Sequence, residues 1–113
     1  MSPITTHALD TSLGRPAQGL TITLSRRGDQ GAWILLASGV TNDDGRITDL
    51  LEAGSLRSGV YQMRFETGAY HTGLGVEGFY PEASIVFEVK DVSQHYHIPL
   101  LISPFGYSTY RGS

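Results

Sequence analysis

The sequence predicts an all-β domain, a sandwich of two sheets with about seven or eight strands and one short helix. Three observations lead there. Fourteen glycines and five prolines are spread along the 113 residues and cut the chain into short segments. Several of those segments alternate apolar and polar residues with a period of two, as a strand with one buried face requires. No linker, repeat or low-complexity tract interrupts the series, so residues 1–113 read as one domain. A small closed barrel is the alternative architecture, which contacts between the first and last strands would distinguish.

The first segment, Ile4 to Leu9, is rich in residues suited to a pleated surface, and the turn formers between Asp10 and Pro16 end it. Leu20, Ile22 and Leu24 share one face of the next strand, which Gly28-Asp29-Gln30-Gly31 breaks. Trp33 to Val40 lacks clean alternation and resembles a buried segment; its shortness and bounding glycines favour a strand over a helix. Thr41-Asn42-Asp43-Asp44-Gly45 is a turn, Arg46 emerges beyond it, and a short extended piece is expected around Ile47 to Leu50. Tyr61, Met63 and Phe65 form a second core row, with Gln62 and Arg64 facing the other way. A helix of about two turns is expected from Thr67, as its cap, through Tyr70, His71 and Leu74. Ile85, Phe87 and Val89 share a face of the following strand. The last long strand sets His95, His97, Pro99 and Leu101 against Tyr96, Ile98, Leu100 and Ile102, and Pro99 implies an edge position or a bulge. The sheets are expected to be antiparallel.

Composition excludes several kinds of chemistry. Without cysteine there is no disulfide, thiolate zinc site or cysteine nucleophile. Eight Lys plus Arg against eleven Asp plus Glu, a formal net charge of −3, argue against a nucleic-acid surface. Apolar runs such as Trp33–Ala37 fall far short of a membrane-spanning helix of about 20 residues, and no secretory leader pattern opens the chain. The expected location is cytoplasmic. Ser12, Ser103 and Ser108 sit in no nucleophile-elbow pattern, and no glycine-rich phosphate loop is present.

His95-Tyr96-His97 is the useful anomaly, because alternate strand residues present both imidazoles to one side. Two histidines alone do not complete a zinc site, and spacing assigns neither His7 nor His71 to them. On local pattern His7, His95 and His97 each also fit an ordinary hydrogen-bonded strand residue, and His71, in the helix, reads as a solvent or packing residue. Arg46 is suited either to a surface ion pair or to stabilising charge on a carbonyl oxygen. The segment Ser103 to Ser113 joins a strand signal to a compact polar end that can close one side of a pocket. In it Tyr110 offers a hydroxyl, Arg111 can pair with an acid, Gly112 permits a bend, and Ser113 adds a hydroxyl and a terminal carboxylate.

Thr6-His7-Ala8-Leu9-Asp10, Gly14-Arg15-Pro16-Ala17, Gly78-Phe79-Tyr80-Pro81-Glu82, His95-Tyr96-His97-Ile98-Pro99-Leu100-Leu101 and Ser103-Pro104-Phe105-Gly106-Tyr107-Ser108-Thr109-Tyr110-Arg111-Gly112-Ser113 together resemble the transthyretin-like 5-hydroxyisourate hydrolase family over nearly the whole chain. The resemblance implies an eight-stranded transthyretin-like two-sheet sandwich and a homotetramer whose sites lie where dimers meet around a central channel. It implies hydrolysis of 5-hydroxyisourate to 2-oxo-4-hydroxy-4-carboxy-5-ureidoimidazoline in urate catabolism, with no metal or cofactor. His7, Arg46 and His97 correspond to catalytic positions, and Tyr110, Arg111 and Ser113 join them in binding substrate. His95 ranks lower. The same fold family implies one alternative function, a passive carrier of a hydrophobic aromatic ligand in the channel; a purely structural sandwich is a second.

Overall fold

Residues 1–113 are described by a computed structural model. Its strands are β1 (Ile4–Asp10), β2 (Arg15–Pro16), β3 (Thr21–Arg27), β4 (Trp33–Val40) and β5 (Gly59–Phe65), then β6 (Ala83–Val89), β7 (Tyr96–Ser103) and β8 (Gly106–Thr109). One helix, α1 (Thr67–Gly73), separates β5 from β6. They form two four-stranded sheets, ordered β2-β1-β7-β8 and β4-β3-β5-β6. The layers stay open, so the molecule is a sandwich and not a barrel.

Period-two alternation builds the interior. Ile4 and Ala8 from β1, Ile98, Leu100 and Ile102 from β7, Ile22 and Leu24 from β3, and Tyr61, Met63 and Phe65 from β5 are all buried in one cluster. A fully buried aliphatic side chain of this size contributes roughly 1.5–3 kcal/mol relative to exposure, which is why these rows fix the register: a slip of one residue would turn each outward. Asp10 is the buried charge at the end of β1. Its carboxylate accepts the Tyr70 hydroxyl at 2.7 Å, the Ser12 hydroxyl at 2.7 Å, and the Ser12 and Leu13 amides at 3.0 Å each. These bonds tie α1 to the sheet that carries β1.

The structure departs from the sequence expectations in five places. First, β1 and β7 run parallel, from Ile4 beside Tyr96 to Asp10 beside Ile102. Most of the chain, including the whole second sheet, lies between them, so no hairpin dictates an antiparallel pair. Second, Pro99 occupies an interior strand. Leu100 pairs with Thr109 and His97 bridges Gly112, a register that sets Tyr110 opposite Pro99. The missing Pro99 N–H falls where the ladder is interrupted, so the chain leaves the sheet at Tyr110 and rejoins it at Gly112. Third, β4 is a strand, but Trp33, Ile34, Leu35, Leu36 and Val40 are exposed on a sheet edge. Fourth, Ile47 to Leu50 forms no strand; Arg46 alone bridges His7, and Thr48 donates to the Asp49 carboxylate in a turn. The two-residue β2 takes the place of that piece in the strand count. Fifth, Thr67 lies inside α1 and does not cap it. Its hydroxyl donates to the Tyr80 carbonyl, while Gly68 lies against Pro81 with no room for a Cβ. No helix is long and apolar enough to cross a membrane.

Candidate active site

His97 projects from β7 on the face opposite the core row and is half-buried. Its strand partner is Thr5. Thr5 Oγ1 lies 2.8 Å from His97 Nδ1 and 3.0 Å from His95 Nε2, so one hydroxyl joins the two imidazoles. Those rings are near parallel, at 20°, with centroids 6.4 Å apart. His97 Nε2 makes no hydrogen bond within the chain and is not among the buried unpaired atoms, so it is open to a water or a ligand.

The chain end closes on the same ring. The Gly112 amide donates to the His97 carbonyl at 2.9 Å. A Cβ on Gly112 would stand 2.5 Å from His97 Cδ2. Gly112 has no positive φ, so this position needs the absence of a side chain and not the freedom to bend. The tether carries Ser113 into the cavity that His97 faces.

Arg46 arrives from a turn built for it. The Asn42 side-chain oxygen accepts the Asp44 amide at 2.9 Å and the Arg46 amide at 3.0 Å, and the Asn42 amide donates to the Arg46 carbonyl at 2.8 Å. Gly45, at φ +75°, packs directly against the Ala8 carbonyl, and its own carbonyl accepts the Ala8 amide at 2.9 Å. A residue with a Cβ would be excluded there both by conformation and by contact. This seat sets Arg46 beside His7 on β1. Both ion pairs in the chain use Arg64, so the Arg46 guanidinium is free of Asp43 and Asp44 and exposed.

Thr5, Arg46, Thr48, His95, His97 and Ser113 line one open cavity of about 440 Å³, in the usual size range for small-molecule sites. Burial holds the His97 imidazole below its ordinary pKa, and the neighbouring Arg46, His95 and His7 side chains press in the same direction. A neutral ring is thereby favoured, which leaves it able to accept a proton. No group of three or more His, Cys, Asp or Glu side chains gathers as a metal-ligand set, so the His95 and His97 pair gains no third ligand.

Of the six residues expected at the site, Arg46, His97 and Ser113 share this cavity. His7 does not line it, but stands beside Arg46, which does. Tyr110 and Arg111 line a separate cavity of about 250 Å³ with Ile85, Phe87 and Tyr96, and His97 is the wall common to both. Arg111 pairs with no acid. It lies over the Tyr96 ring, 4.6 Å from the centroid, and donates to Gln94 Oε1 at 2.8 Å, which places it as a clamp on the chain end. Sequence reasoning missed Thr5 and Thr48. Thr5 was within reach, since it precedes His7 by two residues and shares its face.

Comparison with known proteins adds the following. A family model described as "HIUase/Transthyretin family" matches residues 4–112. A 5-hydroxyisourate hydrolase of Mus musculus is 45% identical, over 99% of this chain and 96% of its own length. One from Halalkalibacterium halodurans is 46% identical, over 97% of both chains. Among solved structures, Klebsiella pneumoniae 5-hydroxyisourate hydrolase is 44% identical with a TM-score of 0.84, covering 97% of this chain and 98% of its own. Sea bream transthyretin in complex with thyroxine is 34% identical with a TM-score of 0.93, covering 97% and 94%.

Proposed function

This chain belongs to the HIUase/Transthyretin family, and from that premise we propose that it hydrolyses 5-hydroxyisourate to 2-oxo-4-hydroxy-4-carboxy-5-ureidoimidazoline. The observation that carries the reading is the cavity in which a half-buried, base-competent His97 faces an unpaired Arg46 beside Ser113. Similarity to named 5-hydroxyisourate hydrolases over nearly the full length supports it.

In this mechanism the neutral His97 takes a proton from water at Nε2, and the resulting hydroxide adds to a ring carbonyl. The Arg46 guanidinium hydrogen-bonds the oxygen as it gains negative charge. His7 assists proton transfer and keeps the pair correctly charged. Collapse of the tetrahedral adduct breaks the ring C–N bond, the nitrogen leaves with a proton returned from imidazole, and the former carbonyl carbon stays on the product as a carboxyl group that gives its proton to solvent. Ser113 orients substrate or water, and Tyr110 and Arg111 support the wall behind His97. No metal or cofactor takes part. Each cavity is wide open in a single chain, and the homotetramer supplies the missing walls. The reaction takes place in the cytoplasm.

The competing reading, a passive carrier of an aromatic ligand, takes its support from the likeness to a transthyretin solved with thyroxine. The test generates 5-hydroxyisourate in situ and follows its decay, with spontaneous hydrolysis subtracted. Acceleration proportional to protein concentration is the expected result. Tight binding of an aromatic ligand without acceleration of decay would replace hydrolysis with the carrier reading.

A further inference from the structure

We propose that the Thr5 hydroxyl is a proton relay between His97 and His95, so that the proton taken from water leaves the half-buried ring for the exposed one. The inference rests on the hydrolytic reading above and assigns two positioning residues to it. Thr5 Oγ1 is within hydrogen-bond distance of both imidazoles at once, 2.8 Å from His97 Nδ1 and 3.0 Å from His95 Nε2. A hydroxyl carries one proton and can accept another bond while donating it, so the three groups form a directional chain.

The protons balance in one sequence. At the start His97 carries its proton on Nδ1 and donates to Thr5, which donates to a neutral His95 at Nε2. This leaves the His97 Nε2 lone pair toward the cavity. As water gives a proton to His97 Nε2, the Nδ1 proton passes to Thr5 Oγ1 and the Thr5 proton passes to His95 Nε2. His97 ends neutral with its proton on Nε2, the tautomer that can next protonate a leaving nitrogen, and His95 ends as imidazolium. Reversal of the relay in concert with that donation, His95 Nε2 to Thr5 to His97 Nδ1, restores the starting state.

The destination of the charge follows from the surroundings. His97 is half-buried, whereas His95 is exposed just before β7, where solvent stabilises the cation. The groups facing the relay are His7 on β1, Arg46 from the turn, and Met1 and Ser113 at the chain ends, while Glu88 on β6, Tyr110 and Arg111 line the second cavity that His97 walls. Burial and then the Arg46 guanidinium oppose holding the proton on His97. No acidic side chain hydrogen-bonds either ring, so a hydroxyl occupies the orienting place that a carboxylate fills in hydrolase triads.

The experiment compares the full-length wild type with Thr5→Val, which keeps the shape and removes the hydroxyl, Thr5→Ser, which restores it, His95→Gln, and Thr5→Val combined with His95→Gln. Thr5→Val should lower kcat by about tenfold or more with KM nearly unchanged and with an altered acid limb of the pH profile. Thr5→Ser should recover most of the rate. The double variant should be no slower than the slower single one, because both remove one pathway. In parallel, ¹⁵N NMR of the imidazoles reads the relay without any substrate. Wild-type His97 should carry its proton on Nδ1 at neutral pH, and Thr5→Val should abolish that preference and shift the His95 titration.

Wild-type rate and pH profile in Thr5→Val, or a Thr5→Ser variant as slow as Thr5→Val, would overturn the relay. If Thr5→Val does not fold, Thr5→Ser and the wild-type NMR decide. If the wild type does not accelerate substrate decay, the hydrolytic reading fails by itself, and unchanged imidazole spectra in Thr5→Val would separately refute the relay.

Discussion

Replacing Gly112 with alanine adds one methyl group against the ring on which the chemistry depends. The new Cβ would stand 2.5 Å from His97 Cδ2 and 3.2 Å from Cγ, and ordinary contact begins near 3.4 Å. The ring or the chain end must therefore move by roughly 1 Å. A shift of that size at reacting groups costs on the order of 10²-fold in rate. Moving the ring strains its 2.8 Å contact with Thr5, while moving the chain breaks the Gly112 to His97 hydrogen bond, worth about 1 kcal/mol, and withdraws Ser113. Both routes lower kcat. The fold should survive, because β7 is held independently by its seven register pairs with β1. Initial rates on freshly generated 5-hydroxyisourate, with Tm and oligomer size measured on the same preparation, make the comparison. A Gly112→Ala protein with wild-type kcat would refute the claim that the chain end fixes the His97 ring.

Arg46→Met should lower kcat by about 10²- to 10³-fold if the guanidinium meets developing oxygen charge; a rise in KM alone would assign it to binding. Because His97 is held below the ordinary imidazole pKa of 6.5, its basic form persists below that pH, and the acid limb of kcat/KM should fall under pH 6.5. An acid limb at or above 6.5 would contradict the burial argument. The same shift bears on stability. The folded protein favours neutral His97 over the unfolded chain, so the contribution is complete above the unfolded value and is lost as pH falls through the folded one. Tyr70→Phe should cost about 2 kcal/mol by removing a donor to the buried Asp10 carboxylate, visible as a lower Tm with kcat unchanged. Burial pushes that carboxyl up, but bonds from Tyr70, Ser12 and Leu13 outweigh it and hold it below 3.8. Its contribution is present above 3.8 and lost as pH falls through the folded value; Tyr70→Phe moves the folded value back up, so the variant's deficit relative to wild type should shrink as pH falls below 3.8.

The two-sheet core was legible because its signal is local: Leu20, Ile22 and Leu24, then Tyr61, Met63 and Phe65, alternate strictly and are buried. The course of the chain between sheets leaves no such trace, and the parallel β1 and β7 pair could not be read from either strand alone. Trp33 to Val40 misled on burial because an edge strand can expose apolar side chains that composition assigns to a core. Pro99 obeys the usual rule against ladder donors, but does so by interrupting the ladder beside Tyr110 within an interior strand. At the site, resemblance supplied His7, Arg46 and His97, whereas the contacts that hold them emerged only in three dimensions. Thr5 joins two imidazoles from another strand, Gly45 is packed on a carbonyl of β1, and Gly112 gives way to a ring fifteen positions earlier. None of these roles follows from residue type at a single position.

The most direct test of the central claim compares wild type with His97→Gln in the decay of freshly generated 5-hydroxyisourate, with the spontaneous rate subtracted and oligomer size matched. Wild type should accelerate decay, and His97→Gln should lose about 10²- to 10⁴-fold in kcat with the fold intact, the range expected when a general base is removed. No acceleration by wild type, or equal rates in the two proteins, would contradict the account.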